Sequence, residues 1–387
     1  MTLKTVTILG ATGSIGKSTI DLITRNRDRY QVVALTAQTD VQGLAAAARQ
    51  VGASRAVIGS EALYDDLKAA LDGSGIEPAA GPDAVVETAG SGAELTVAAI
   101  VGCAGLSPVM AAIKSGRTVA LANKESLVSA GSVMTSAATQ SGATILPVDS
   151  EHNAIFQCFD HARPHSVRRV LLTASGGPFR SRSLDEMRQV TPAQAVAHPN
   201  WSMGAKTSVD SATLMNKGLE LIEAFHLFPL DADAFDAVIH PQSIVHSLVE
   251  YVDGSVLAQL GAPDMRIPIA YTLAYPERIE TPCERLDLVR IGALTFEEPD
   301  LDRFPALRLA KAALAKGGAA PAILNAANEI AVAAFLQSRI GFLDIATIVS
   351  DTLGQYDPPA PRSIEEVLDV DRQARAISTG MVVKDTN

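Results

Sequence analysis

Cysteine is scarce. Cys103, Cys158 and Cys283 are the only three in 387 residues, and no two stand in a Cys-x-x-Cys spacing. An odd, scattered set argues against a disulfide framework or a zinc site and fits a reducing compartment. Positive charge is also short: 32 Lys and Arg face 43 Asp and Glu, a net charge of −11. That balance excludes a sequence-independent nucleic-acid binder, which needs a broad basic surface to displace phosphate counterions. Long apolar runs are missing too. The N-terminus, Met1-Thr2-Leu3-Lys4, leads into a short run ending at Gly10, too short for a signal peptide. Leu95 to Ile113 carries no charge over 19 residues, but Gly102, Gly105, Ser107 and Pro108 interrupt it, as a strand, turn and helix would. No internal repeat or low-complexity tract is present. These absences predict a cytoplasmic protein with no nucleic-acid or membrane partner.

Hydrophobic residues make up 47% of the chain and charged residues 19%, enough for a sizeable core, and the length predicts two or three domains. An acidic chain can still bind small phosphorylated ligands, which need only a few cations and backbone amides. The places where donors gather therefore become informative.

The first 150 residues alternate β-branched runs with alanine-rich helical stretches. Strands are expected at Val6–Leu9, Val32–Leu35, Ala56–Ile58, Ala84–Glu87, Val97–Val101, Thr118–Ala122 and Thr144–Leu146. That rhythm predicts an α/β fold with a mainly parallel, doubly wound, Rossmann-like sheet. All seven histidines and Trp201 then fall between residues 152 and 246. Further strands are expected at Arg169–Thr173, Val238–His240, Ile244–Val252 and Ser255–Leu260. The last two flank Asp253-Gly254, a two-residue hairpin signal. We therefore expect a dinucleotide-binding domain over 1–149, a central α+β catalytic domain over 150–285, a linker over 286–304 and a C-terminal α-helical bundle over 305–387.

The first strand runs into Gly10-Ala-Thr-Gly-Ser-Ile-Gly16-Lys17-Ser18. Strand, glycine turn and helix N-terminus set backbone N–H groups against phosphate oxygens. Gly10, Gly13 and Gly16 suit a dinucleotide turn, whereas Ala11-xxxx-Gly16-Lys17-Ser18 nearly matches a P-loop, with Asp149 as the acid of a possible partner strand. After the second strand, Gln38-Thr39-Asp40 stands where an adenosine ribose is read. Asp40 there serves either a ribose 2′-hydroxyl or the N-cap of the next helix.

Three polar clusters follow. Asn123-Lys124-Glu125 leaves a strand at the sheet edge where ligands bind, with Lys124 as the cation for a substrate oxygen. Asp149 and Glu151 are two apart, so an extended segment would turn both carboxylates to one side, where a hard divalent cation relieves their repulsion; a capped helix start is the other reading. Glu220 could complete a three-carboxylate site, with Ser211, Asn216 and Lys217 as phosphate donors. Ser175-Gly176-Gly177 is a glycine turn suited to an anion. His198 to Gly204 is a hinge-rich loop around Trp201, read either as a lid or as a packed anchor. His240, at a strand end, is either a core histidine or a site residue.

Together these segments resemble the 1-deoxy-D-xylulose 5-phosphate reductoisomerase family. The resemblance is carried by Gly10–Gly16, Leu121-Ala-Asn-Lys-Glu-Ser126, Pro147-Val-Asp-Ser-Glu-His-Asn153, Ala174-Ser-Gly-Gly-Pro-Phe179, His198-Pro-Asn-Trp-Ser-Met-Gly204, Ser208-Val-Asp-Ser-Ala-Thr213 and Asn216-Lys-Gly-Leu-Glu220. His240-Pro-Gln-Ser243, Gly261-Ala-Pro-Asp-Met-Arg266 and Leu324-Asn-Ala-Ala-Asn-Glu329 continue it.

It implies a homodimer that rearranges 1-deoxy-D-xylulose 5-phosphate and reduces the product with NADPH to 2-C-methyl-D-erythritol 4-phosphate, in non-mevalonate isoprenoid synthesis. It implies metal ligands Asp149, Glu151 and Glu220 for Mn²⁺, Mg²⁺ or Co²⁺, and catalytic roles for Lys124, Glu151 and His198. The phosphate anchor would be Ser175, Ser211, Asn216 and Lys217. Ser150, His198 and His240 would be further substrate contacts, under a flap near 198–205 with Trp201 and Met203 as its cover. Thr12, Gly13, Ser14 and Ile15 would contact the cofactor with Asn123, Glu125 and Gly204, and Gln38, Thr39 and Asp40 would flank its ribose. The chain departs from the family after the second strand, where a Lys or Arg is common and Gln38-Thr39-Asp40 has none. A P-loop NTPase and a non-catalytic nucleotide-sensing module are the competing readings.

Overall fold

The computed structural model describes residues 3–197, 201 and 203–384. The chain divides into two compact units. The first comprises residues 1–126, 132–153 and 265–283, the second 127–131, 154–264 and 284–387.

The first unit is built on a seven-stranded sheet: β1 Lys4–Leu9, β2 Tyr30–Ala37, β3 Arg55–Ile58, β4 Glu77–Ala80, β5 Leu95–Ala98, β6 Thr118–Leu121 and β7 Thr144–Pro147. The order is β4-β3-β2-β1-β5-β6-β7, and every pairing is parallel. Six helices link successive strands: α1 Ser14–Arg25, α2 Val41–Val51, α3 Tyr64–Ala70, α4 Pro82–Ala89, α5 Leu106–Lys114 and α6 Lys124–Ser141. The chain winds outward from β1 to β4, then returns to pair β5 with β1 on the other side. That reversal opens a crevice beyond the carboxyl ends of β1 and β5, the place where open α/β sheets hold ligands. Strands buried on both faces supply Val6, Ile8, Val32, Leu35, Leu95 and Val97 to one core. The helix Arg266–Ala274 adds Ile269 and Leu273 to it.

One expected strand is overturned. Ala84–Glu87 lies within helix α4, and the strand is Glu77–Ala80. Gly81 at φ +99°, Pro82 in the first turn and Asp83 behind it make a helix start that outweighs the two valines. Pro78 and Pro147 both stand in strands, and both strands are sheet edges, where a missing N–H breaks no ladder.

In the second unit, β8 Val167–Ala174, β9 Phe235–Ile239, β10 Val245–Tyr251 and β11 Val256–Leu260 form a sheet of order β11-β10-β8-β9. β8 and β9 are parallel and the remaining pairs antiparallel. The β10–β11 hairpin forms as expected, but not through a two-residue turn. Only Gly254 takes positive φ, +84°, while Tyr251 N–H donates to the Ser255 carbonyl and Gly254 N–H to that of Tyr251. The loop is thus a three-residue turn closed by a left-handed glycine. The helices Ala320–Leu336 and Asp344–Gln355 share a core with the sheet: Val332, Phe335 and Ile348 pack in one cluster with Val170, Leu172 and Phe228. Among the described residues no helix is long and apolar enough to cross a membrane.

Candidate functional site

The glycine turn lies at the crevice between β1 and β5. Gly10 sits at φ +82°, and a Cβ there would fall 2.6 Å from the Ala99 carbonyl oxygen. A Cβ on Gly16 would fall 2.4 Å from the Gly10 carbonyl oxygen. Only glycine at both positions lets the turn close against the β5 end and α1 start directly above it. A Cβ at Gly13 would meet nothing closer than 3.5 Å. Gly13, with Ser14 exposed beside it, heads α1 without a side-chain cap or an acid in the first turn, leaving first-turn N–H groups to an anion. Thr12 and Ile15 flank this opening, half-buried.

At the end of β2, Gln38, Thr39 and Asp40 are exposed. Asp40 is the N-cap of α2, its carboxylate accepting from Gly43 N–H at 2.9 Å. Of its two readings, the cap is the one the geometry bears out.

The edge strands β6 and β7 deliver the polar cluster. Asn123 caps α6, Lys124–Ser141, by accepting from Ser126 N–H at 2.9 Å. Its amide donates to the carbonyls of Ile100 and Gly102, so it pins the loop after β5. That loop carries Val101, 74% exposed, which the sequence does not single out because an apolar residue there has no distinguishing signal. Glu125 is buried in the first turn. Lys124 Nζ reaches Asp149 at 2.7 Å. His152, fully buried, lies 3.3 Å from the other oxygen of Asp149. Burial alone would raise the Asp149 carboxyl, but Lys124 and His152 overcome it and hold it well below the usual carboxylate range.

Glu151 lies in α7, Ser150–Cys158, and accepts from the Ser150 hydroxyl at 2.5 Å. Asp149 and Glu151 therefore do not share one side of an extended strand. They meet because α7 starts between them: Asp149 accepts from Glu151 N–H at 3.3 Å, and the two carboxylates approach within 4.8 Å.

The second unit holds the other donors. Gly176 and Gly177 both take positive φ after Ser175, and Gly177 N–H donates to the Ser175 hydroxyl at 3.2 Å. A Cβ on Gly177 would lie 2.8 Å from the Ser211 carbonyl oxygen, so this turn packs directly on the end of the helix Ala205–Ala212. Leu214, buried at φ +60°, then turns the chain into the helix Met215–Leu227. The helix puts Asn216 and Glu220 on one face with Lys217 beside them, as the spacing implied, but in this structure Asn216 and Lys217 both donate to Glu220, and Lys217 and Glu220 are almost completely buried. Asp210, beside Ser211, accepts from Asn328 at 2.8 Å and pairs with Lys206 at 2.8 Å. Asp210 and Asn328 stand in two of the segments that carry the resemblance, but nothing in the sequence pairs them, since 118 residues separate them.

Trp201 is half-buried, its ring centroid 6.1 Å from that of His246. His246 is held neutral by burial, its pKa pushed down to about 4 although hydrogen bonds to Gly261 and Ala262 oppose this. Met203 is half-buried, and Gly204 is exposed at the N-cap of the helix Ala205–Ala212. His198 lies outside the described residues. His240 is fully buried: Nδ1–H donates to the Thr295 carbonyl at 2.8 Å, Nε2 accepts from Ile244 N–H at 3.2 Å, and the ring stacks on Phe296. Both nitrogens thus hold backbone.

Comparison with known proteins adds a family. Residues 6–131 match 1-deoxy-D-xylulose 5-phosphate reductoisomerase, residues 145–228 its C-terminal domain, and residues 260–377 the DXP reductoisomerase C-terminal domain. The 1-deoxy-D-xylulose 5-phosphate reductoisomerase of Zymomonas mobilis is 62% identical over 372 residues, 96% of each chain. That of Rhodospirillum centenum is 55% identical over 380 residues, 98% of this chain and 94% of its own. The solved Z. mobilis enzyme in complex with NADPH superposes with a TM-score of 0.95 at 60% identity, covering 98% of this chain and 99% of its own. A DOX-P reductoisomerase in complex with NADPH, fosmidomycin and magnesium superposes at 0.93 with 45% identity, covering 98% of both. Neither a P-loop NTPase nor a nucleotide-sensing module is favoured by these matches. The chain belongs to the 1-deoxy-D-xylulose 5-phosphate reductoisomerase family.

Proposed function

We propose that this chain rearranges 1-deoxy-D-xylulose 5-phosphate and reduces the rearranged aldehyde with NADPH to 2-C-methyl-D-erythritol 4-phosphate, in a metal-dependent reaction of isoprenoid synthesis. The observation that carries this reading is the meeting of Asp149 and Glu151 beside Lys124 at the end of β7, in a chain of this family.

The residues fit both groups the reaction needs. The Gly10–Gly16 turn is a cradle that a Cβ would fill, and it presents uncapped helix amides to a pyrophosphate. Asp149, Glu151 and Glu220, our proposed ligands, all offer carboxylate oxygen, the donor that Mg²⁺ or Mn²⁺ prefers. When bound, the cation polarises substrate oxygens and NADPH supplies hydride.

The protein's own groups bind and orient. Lys124 holds a substrate oxygen, with Asp149 fixing its ammonium. Ser175, Ser211, Asn216 and Lys217 take the phosphate, which competes with Glu220 for the Lys217 ammonium. Ser150 and His198 add substrate contacts, and Trp201 and Met203 exclude water. Thr12, Gly13, Ser14, Ile15, Glu125 and Gly204 meet the cofactor. Asn123 acts by holding the β5 loop, and His240 by holding the 240–244 turn. The first unit is the NADPH-binding part. A homodimer located in the cytoplasm completes the reading; for the dimer, the support is the edge strand β11, where Val256 and Leu257 face solvent.

The test is reduced-nicotinamide absorbance with 1-deoxy-D-xylulose 5-phosphate, with and without Mn²⁺. Oxidation that needs both substrate and metal is expected; oxidation indifferent to either refutes the reading. Glu220→Gln should lose Mn²⁺ affinity in titration calorimetry, and light scattering should return twice the chain mass.

A further inference from the structure

We propose that the residues following β2 make this chain weakly selective for NADPH over NADH, with the extra phosphate met by uncharged donors. The inference rests on the reading of the first unit as the NADPH-binding part. A dinucleotide-binding sheet reads the adenosine ribose at the end of its second strand, where a 2′-phosphate is ordinarily held by Arg or Lys and a bare 2′-hydroxyl by Asp or Glu.

Neither arrangement is found among residues 38–67. Between residues 38 and 67 the only cations are Arg49 and Arg55. Arg49, in the last turn of α2, donates to the carbonyls of Ala70 and Asp72 at 2.9 and 3.1 Å. Arg55 opens β3, at the end of the strand away from the crevice, and faces Glu77 and Glu87.

The acid at this point, though exposed, is engaged as a helix cap. Asp40 Oδ1 accepts from Gly43 N–H, and a Cβ on Gly43 would lie 2.2 Å from Oδ2, so the glycine at this helix position makes the room in which the carboxylate folds over the first turn of α2. There the helix dipole offsets its charge. Gln38 is similarly placed by a glycine: a Cβ on Gly59 would lie 2.3 Å from Gln38 Oε1, so the carboxamide rests across the end of β3. What this edge offers a 2′-phosphate is the Gln38 amide and the Thr39 hydroxyl. These bind it more weakly than a guanidinium, and Asp40 does not repel it as an outward carboxylate would.

The experiment is binding of NADPH and of NADH to the enzyme without substrate, followed by nicotinamide fluorescence, with steady-state rates for both cofactors as a second readout. The wild-type ratio of dissociation constants should lie below about thirtyfold; a larger ratio overturns the proposal. Asp40→Asn, which keeps a capping side chain, should change NADPH affinity by less than about fivefold. A tightening of fivefold or more, confined to NADPH, would show Asp40 facing the phosphate and overturn it. Thr39→Arg should raise the NADPH:NADH ratio by at least about tenfold, and a smaller gain counts against the placement of Thr39. Failure of both nucleotides to bind the wild-type chain would instead overturn the reading of the first unit itself.

Discussion

Replacing Asn328 tests what positions the helix that carries Ser211. Asp210 is 1% exposed and Asn328 is not exposed at all. The Asn328 amide donates to Asp210 Oδ1 at 2.8 Å, while Lys206 holds Oδ2 at the same distance. In Asn328→Ala the carboxylate keeps Lys206 but loses its other donor, which for a hydrogen bond to a charged group costs about 1.5–3 kcal/mol. The vacated volume adds about 1 kcal/mol. Against this, the Asn328 carbonyl oxygen is buried without a hydrogen-bond partner, and its removal returns about 1 kcal/mol. The net loss is about 2 kcal/mol, or about 4–8 °C in thermal unfolding for a body of this size.

Asn328→Asp makes a sharper test because its cost depends on pH. Two buried carboxylates would face each other across a hydrogen-bond distance, and one must hold a proton, so the pair titrates with a raised pKa in the folded state. A carboxyl whose folded pKa exceeds its unfolded value stabilises the fold when protonated, and that contribution is lost as pH rises through the folded pKa. Asn328→Asp should therefore come closest to wild-type stability below about pH 4, where the unfolded carboxyl is also protonated, and fall below Asn328→Ala near pH 8. Thermal unfolding of the three proteins across that range, followed by circular dichroism, decides it. An Asn328→Ala midpoint within about 1 °C of wild type, or an Asn328→Asp deficit that does not change with pH, would refute the reasoning.

Two further outcomes follow from single side chains. His226 is held neutral by burial, with its pKa lowered from 6.5 to about 4. The unfolded chain takes up the proton first as pH falls below 6.5, so the contribution of His226 to stability is lost from there down to pH 4 and is lower at pH 5 than at pH 7 by about 2 kcal/mol. His226→Gln should lose correspondingly less over that interval in urea unfolding, and equal losses would contradict the assignment. Gly10→Ala places a Cβ 2.6 Å from the Ala99 carbonyl oxygen at φ +82°, which should weaken NADPH binding at least about tenfold by displacing the turn from the crevice. Unchanged affinity by nicotinamide fluorescence would show that the turn does not contact the cofactor.

How much of this was legible in the sequence depended on how far apart the deciding partners lie. The strands β1, β2, β3 and β6 were readable because sheets covered on both faces need continuous apolar runs, and the C-terminal helices because their apolar stripe recurs within a few residues; β5 lies two residues earlier than its run suggested. β4 was not, because an edge strand with Pro78 and only half-buried side chains carries no such run. Ala84–Glu87 looked like a strand through Val85 and Val86, although Gly81, Pro82 and Asp83 already spelled a helix start. In the site, the helical spacing brought Asn216, Lys217 and Glu220 together, but did not show that both donors would turn to the Glu220 carboxylate. The Asn123 contacts to Ile100 and Gly102 and the Asp210–Asn328 pair span 21 to 118 residues, a distance at which no local pattern constrains side-chain direction. Asp40 is the instructive case between these extremes. Its carboxylate had two possible partners, a ribose hydroxyl that only a ligand could supply and a helix N–H three residues on. What tipped the choice was local: a glycine at the third helical position, where any Cβ would occupy the space the capping carboxylate takes. An Asp-x-x-Gly at the end of a second strand therefore reads as a cap before it reads as a ribose ligand, and cofactor preference has to be sought in the two residues before it.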